Sequence, residues 1–121
     1  MEKLTPNEED AMQVIWNLCE GTVKDFLNAL PDPKPPYTTL ASTVKNLEKK
    51  KFISAQKIGN TYLYTPQIKE EEYKKKFMSE FVSDYFSNSY KDLVSFFATQ
   101  EKISTDELKE IIEMIEKGKK P

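Results

Sequence analysis

The sequence predicts a mainly α-helical chain interrupted once by a small β-hairpin, on three observations. Apolar residues recur at intervals of three and four before residue 50 and again after residue 68, the period of one helix face. Between these stretches, residues 52–58 and 61–65 are rich in β-branched and aromatic side chains and flank Gly59-Asn60, a pair suited to a tight turn. The helical stretches open on cap signals: Thr5 with Glu8, Thr22 with Asp25, and Ser104 with Glu107.

In the first helix Pro6 takes the first helical position, and Ala11, Val14, Ile15 and Leu18 form one apolar stripe running to about Cys19. Gly21 stops this helix. Thr22 caps a second, whose buried side is Val23, Phe26, Leu27 and Leu30. Pro31-Asp32-Pro33-Lys34-Pro35-Pro36 must break any helix and reads as a stiff connector. A third helix is expected over about residues 38–50. Leu40, Val44 and Leu47 form its narrow core stripe, and Thr38, Thr39, Ser42, Lys45, Asn46 and Lys49 occupy its other faces. The hairpin follows, with Pro66 closing its second strand. Helix resumes at about Lys69, where Tyr73, Phe77, Phe81 and Tyr85 recur every four residues, with Val82 and Phe86 beside them. Ser87-Asn88-Ser89 interrupts; Leu93, Val94, Phe96 and Phe97 form a further cluster. The last helix carries Leu108, Ile111, Ile112 and Ile115 on one face. Three helices and a hairpin are the order of a winged helix-turn-helix, with the hairpin as wing. The expected organisation is a winged-helix domain over residues 1–67 and a helical segment over 68–121, whose long apolar faces suit self-association.

Composition removes several function classes. The chain of 121 residues has no histidine, so the commonest general base and metal ligand are missing. It has no Gly-rich phosphate loop, nucleophile motif or paired-carboxylate motif, and neither an enzyme, a cofactor nor a metal is expected. Cys19 is the single cysteine, which excludes an intrachain disulfide and a zinc cluster; its place in an apolar pattern predicts a packed thiol. There is no secretory signal pattern, and no apolar run approaches the ~20 residues of a membrane span. A soluble cytoplasmic protein, not inserted in a membrane, is the expectation. The net charge is −2, but residues 34–69 hold seven lysines against Glu48 alone, a local net of +6. Such a basic island in an acidic chain is a polarised surface.

At the third helix and hairpin the sequence resembles the penicillinase-repressor (BlaI/MecI-type) family of winged-helix regulators. The family stretch runs Thr-Val-x-Thr-x-Leu-x-Arg-Leu-x-x-Lys-Gly, then strand, turn and Tyr-x-Tyr-x-Pro. The corresponding run here is Thr39-Leu40-Ala41-Ser42-Thr43-Val44-Lys45-Asn46-Leu47-Glu48-Lys49-Lys50-Lys51, followed later by Tyr62-Leu63-Tyr64-Thr65-Pro66. Glu9, Val14, Ile15 and Trp16 fit the family's opening in a loosened form, and Leu93-Val94-Ser95-Phe96-Phe97-Ala98 is similar to the segment before its last helix. The resemblance covers nearly the whole chain. It implies a dimeric transcriptional repressor of an antibiotic-resistance or metal-response operon, binding a dyad-symmetric operator. It also implies release by a membrane sensor that triggers proteolysis, cutting between an asparagine and a phenylalanine before the final helix. The matching step here is Phe96-Phe97, which lacks the asparagine. Asn46 stands where arginine is usual, and Lys51 where glycine is usual. The cysteine motif of the copper-responsive branch is absent.

On this reading the third helix enters the major groove of double-stranded DNA with Thr38, Thr39, Ser42, Lys45, Asn46 and Lys49, and the wing adds Lys57, Asn60 and Tyr62. Asn46 is the candidate for reading an adenine edge. All 18 basic residues are lysine, so no bidentate arginine–guanine contact can form. Tyr73, Phe77, Phe81, Tyr85, Leu93, Leu108, Ile111, Ile112 and Ile115 are the candidates for a homodimer interface. Two alternatives stay open. One is a winged-helix protein-interaction module whose lysines are merely solvated. The other is a ligand-responsive regulator with a pocket between the aromatic helices.

Overall fold

A computed structural model describes residues 1–118. In chain order it contains α1 (Pro6–Leu18), α2 (Val23–Ala29), α3 (Tyr37–Lys49), β1 (Ile53–Ile58), β2 (Thr61–Pro66), α4 (Glu70–Phe86), α5 (Tyr90–Thr99) and α6 (Thr105–Gly118). The mainly helical winged helix-turn-helix order read from the sequence is the order observed. Two compact units divide the chain within α4: one spans Met1–Phe77, and the other begins at Met78.

The helices start where local chemistry satisfies their free N–H groups. Thr5 accepts from the Glu8 amide at 3.3 Å while Glu8 accepts from the Thr5 amide at 2.9 Å. Thr22 and Asp25 repeat the arrangement at α2, and Ser104 and Glu107 at α6. These reciprocal caps satisfy donors that would otherwise face solvent or apolar neighbours unpaired. The α3 terminus differs: Pro36 precedes it and offers no side-chain cap. In the hairpin, Ile58 pairs with Thr61 and only Gly59 of the two turn residues adopts positive φ (61°). Glycine first in a two-residue turn suits the twist of the flanking strands.

The core of the first unit lies between α1, α2, α3 and the base of the hairpin. Met12, Ile15, Phe26, Val44, Leu47 and Phe52 are fully enclosed, and Leu4, Leu30, Leu40, Ile53 and Tyr64 complete it. Gly21 joins the α1–α2 connection to the wing, exchanging hydrogen bonds with Tyr64 (3.1 and 2.8 Å) as an antiparallel bridge. A Cβ on Gly21 would stand 2.7 Å from the enclosed Phe26 ring.

Three expectations need correction. Cys19 is exposed rather than packed, because α1 ends at Leu18 and Cys19 turns into the left-handed conformation (φ 69°) as its C-cap. Leu18, expected in the buried stripe, is 42% exposed; it lies one turn beyond Ile15, at the surface beside Asn28 and Ala29. Tyr73, expected on a self-association face, belongs to the core of the first unit. Its ring meets Trp16 and Phe52 at centroid distances of 5.9 and 5.7 Å, and its hydroxyl accepts the Leu4 amide at 3.2 Å. Burial is the main reason the Tyr73 hydroxyl titrates above its ordinary range. The Trp16 indole N–H donates to the Ile68 carbonyl at 2.8 Å, fixing the chain just before α4.

Gly21→Ala is expected to destabilise the first unit by about 1–3 kcal/mol, since the added methyl must displace an enclosed aromatic ring. Denaturant unfolding followed by circular dichroism measures this, and an unchanged midpoint would show that Phe26 has room to move.

Candidate nucleic-acid interface

α3 is buried along one side only. Leu40, Val44 and Leu47 face the core, and at about 100° per residue Thr38, Ser42, Lys45 and Lys49 fall within about 60° of arc on the opposite side. This crest carries hydroxyls and ammonium groups and no carboxylate. Thr39, Thr43 and Asn46 lie on the flank between crest and core. Asn46 and Thr43 share an open hollow of about 460 Å³ with Lys49, Lys50 and the residues Glu2, Thr5, Asn7 and Glu8 around the start of α1. Thr39 and Thr43 also border a larger hollow of about 540 Å³, whose other walls are α1 and the proline connector.

All nine residues expected to meet DNA are exposed: Thr38, Thr39, Ser42, Lys45, Asn46 and Lys49 on α3, and Lys57, Asn60 and Tyr62 on the wing. Lys57 and Tyr62 are directly paired across the hairpin, so they project from the same face, with Asn60 at the tip. Tyr64, two residues along that face, packs on Phe26 at 6.4 Å and anchors the strand, while Tyr62 remains 48% exposed. Burial, with Glu48, Tyr62 and Tyr37 nearby, raises the Tyr64 hydroxyl above its ordinary range and keeps it protonated.

The basic island is smaller in space than along the chain. The Lys50 ammonium donates to Glu8 Oε1 at 2.7 Å and lies 3.9 Å from Glu2 Oε2, two carboxylates from outside residues 34–69. Lys34 donates to the Asn28 carbonyl at 3.2 Å and to the Leu30 carbonyl, capping the end of α2. Lys45, Lys49, Lys51 and Lys57 make no ion pair among the described residues. Burial alone would raise the Glu8 carboxyl, but the Lys50 ammonium and the Thr5 amide and hydroxyl outweigh it and hold it below its ordinary range.

Sequence reasoning omitted three residues that geometry adds to this surface. Tyr37 opens α3 with 53% of its surface exposed. By spacing it continues the stripe of Leu40, Val44 and Leu47, so periodicity alone would place it in the core and no local signal marks it as exposed. Asn7 and Thr43 border both hollows. The approach of α1 to α3 puts Asn7 there, and no local pattern encodes that approach. Among the described residues no cluster of acidic or cysteine side chains could hold a metal, and no helix is long and apolar enough to cross a membrane.

The second unit is built differently. Val82 is fully enclosed, whereas Tyr85 is 72% exposed, and Ile111, Ile112, Met114 and Ile115 stand open along α6. Phe81, Leu93 and Leu108 are half-buried. Phe77, which completes the first unit, stacks on Tyr73 at 6.1 Å beneath the Lys3 ammonium, which is 4.8 Å away. Phe96 and Phe97 lie in the last turn of α5, with Phe96 edge-on to Phe86 at 5.8 Å.

Residues 4–117 match the family model described as "Penicillinase repressor". The penicillinase repressor of Staphylococcus aureus is 27% identical over 109 residues, covering 89% of this chain and 86% of its own. That of Bacillus licheniformis is 23% identical over 122 residues, covering 97% and 92%. The methicillin resistance regulatory protein MecI of Staphylococcus aureus (strain N315) is 22% identical over 116 residues, covering 95% and 94%. A match of this extent, on a chain whose winged helix bares a lysine and hydroxyl crest, places the protein in a family: it belongs to the penicillinase repressors.

Proposed function

We propose that this protein is a dimeric DNA-binding transcriptional repressor, acting in the cytoplasm on a dyad-symmetric operator. The observation that carries the reading is the α3 crest, where Thr38, Ser42, Lys45 and Lys49 face outward from a helix clamped along its other side. A helix so held can lie in the major groove while lysines and hydroxyls contact phosphates. Asn46 and Thr39 on the flank reach base edges, and Lys57, Asn60 and Tyr62 extend the wing along the backbone. Without arginine, sequence preference rests on Asn46, on methyl contacts and on DNA shape.

The second unit supplies the dimer. Leu108, Ile111, Ile112 and Ile115 form an apolar face on α6, and Phe81, Tyr85 and Leu93 add to the surface a partner copy would cover. Two linked reading heads match a palindromic site and hold it more firmly than one. A sensor-triggered protease would release the repressor by cutting at Phe96-Phe97 and separating α6 from the rest. That step lies within the last turn of α5, so the turn must unwind before a protease can bind it.

Selection of bound duplexes from a random pool tests the DNA reading, and no enrichment of any sequence would end it. Given an operator, Asn46→Ala should relax base preference. Lys49→Ala should weaken all sequences alike and lower the log–log salt slope by about 1. Equal loss of preference in both variants would contradict this division.

Ile112→Asp leaves the isolated chain intact, because Ile112 is half exposed, but would bury an unpaired carboxylate in the dimer. Sedimentation should show dimer converting to monomer; a dimer that withstands the change has its interface elsewhere.

Mass spectrometry of the protein from induced cells addresses release. Fragments ending at Phe96 are expected, and an intact chain after full derepression would remove proteolysis from the mechanism.

A further inference from the structure

The ion pair between Glu8 and Lys50 joins two elements 42 residues apart, at the edge of the surface proposed to meet DNA. Lys50 follows α3 directly and borders the same hollow as Asn46 and Lys49. Its side chain is 23% exposed and Glu8's is 5% exposed. The carboxylate is the fixed partner, since Glu8 Oε1 also accepts the Thr5 amide within the α1 cap. Glu2, 3.9 Å from the same ammonium, adds a second acidic neighbour at the mouth of the hollow.

We propose that the Glu8 carboxylate occupies the place a DNA phosphate would take on Lys50, withholding this lysine from the backbone and making Glu8 a specificity-determining residue. The inference rests on the DNA-binding reading above. A lysine on a phosphate strengthens right and wrong sites alike, whereas specificity is the difference between them. In a chain whose basic residues are all lysine, each added phosphate contact raises sequence-independent binding and contributes nothing to base discrimination. Glu8 restrains that background from within the fold. Lys45 and Lys49 stay free on the crest, and Lys50 is held back on the flank.

The test is a double-mutant cycle on the full-length protein, with dissociation constants measured by fluorescence anisotropy across a salt series. Two duplexes are used: one of mixed sequence and one selected by the wild-type protein. Glu8→Gln keeps the α1 cap, because glutamine serves in the same reciprocal arrangement, and removes the negative charge that holds Lys50. It should bind the mixed-sequence duplex several-fold more tightly at low salt, with a log–log slope steeper by about 0.9, one phosphate's worth. It should also narrow the preference for the selected duplex. The gain should vanish in E8Q/K50M. Glu2→Gln, at a side chain 70% exposed that the fold does not use, should shift affinity the same way by less. A Glu8→Gln protein that binds as the wild type does, or more weakly, overturns the inference. So does a gain that persists in E8Q/K50M, which would reflect repulsion at a distance, and so does a Glu2→Gln shift in the opposite direction. Wild-type protein that binds neither duplex overturns the repressor reading itself, and this inference with it.

Discussion

The first unit depends on how little of α3 is gripped. Leu40, Val44 and Leu47 are its buried side chains, and they hold it against Met12, Ile15, Phe26 and Phe52. Burying each contributes about 1.5–3 kcal/mol, enough to dock the helix firmly without covering its other side. A wider apolar stripe would have drawn the crest inward and left no surface for a groove. At the C-terminal end of α3 the Lys50–Glu8 pair links it to the start of α1, and at its N-terminal end the proline connector leads directly into the helix.

The other elements follow from holding α3 in this way. Gly21 lets the wing approach the α1–α2 connection, and the resulting two-way bridge with Tyr64 makes the hairpin part of the same packed unit. Tyr73 then closes the far side of the core from the first turns of α4, using its ring against Trp16 and Phe52 and its hydroxyl on the Leu4 amide. The polar accounting is complete: among the described residues, every buried side-chain nitrogen and oxygen has a hydrogen-bond partner. Glu8, the one buried charged residue among those described, is balanced by Lys50 and by the cap it belongs to.

The second unit meets a different constraint. On the order of 40 residues cannot enclose a large core, and here, among the described residues, only Val82 is fully shielded while four apolar side chains of α6 stand in solvent. Its phenylalanines contact one another in a chain, Phe81 to Phe86, Phe86 to Phe96 and Phe96 to Phe97, more than they surround a common centre. A surface of this kind gains stability by being covered, which is the physical basis for assigning it to self-association.

What the sequence determined alone was everything encoded over a few residues. The starts of α1, α2 and α6 follow from a hydroxyl and a carboxylate three apart, the connector from four prolines in six, the turn from Gly59, and the α3 crest from the spacing of Leu40, Val44 and Leu47. The exposure of the six expected DNA-facing residues on α3 was legible for that last reason, because a helix buried on one stripe must bare its other faces. Tertiary structure decided what depends on partners distant along the chain. Leu18 continues the apolar period of α1 but reaches past the core, and Cys19 leaves the pattern because the helix ends there. Tyr73 shares its four-residue repeat with Phe81 and Tyr85, yet lies inside because Leu4, 69 residues away, needs its hydroxyl and Phe52 its ring. Lys50 reads as one more charge in a basic run until Glu8 is found beside it. Periodicity says which faces a helix has, and only the packed fold says what stands opposite each of them.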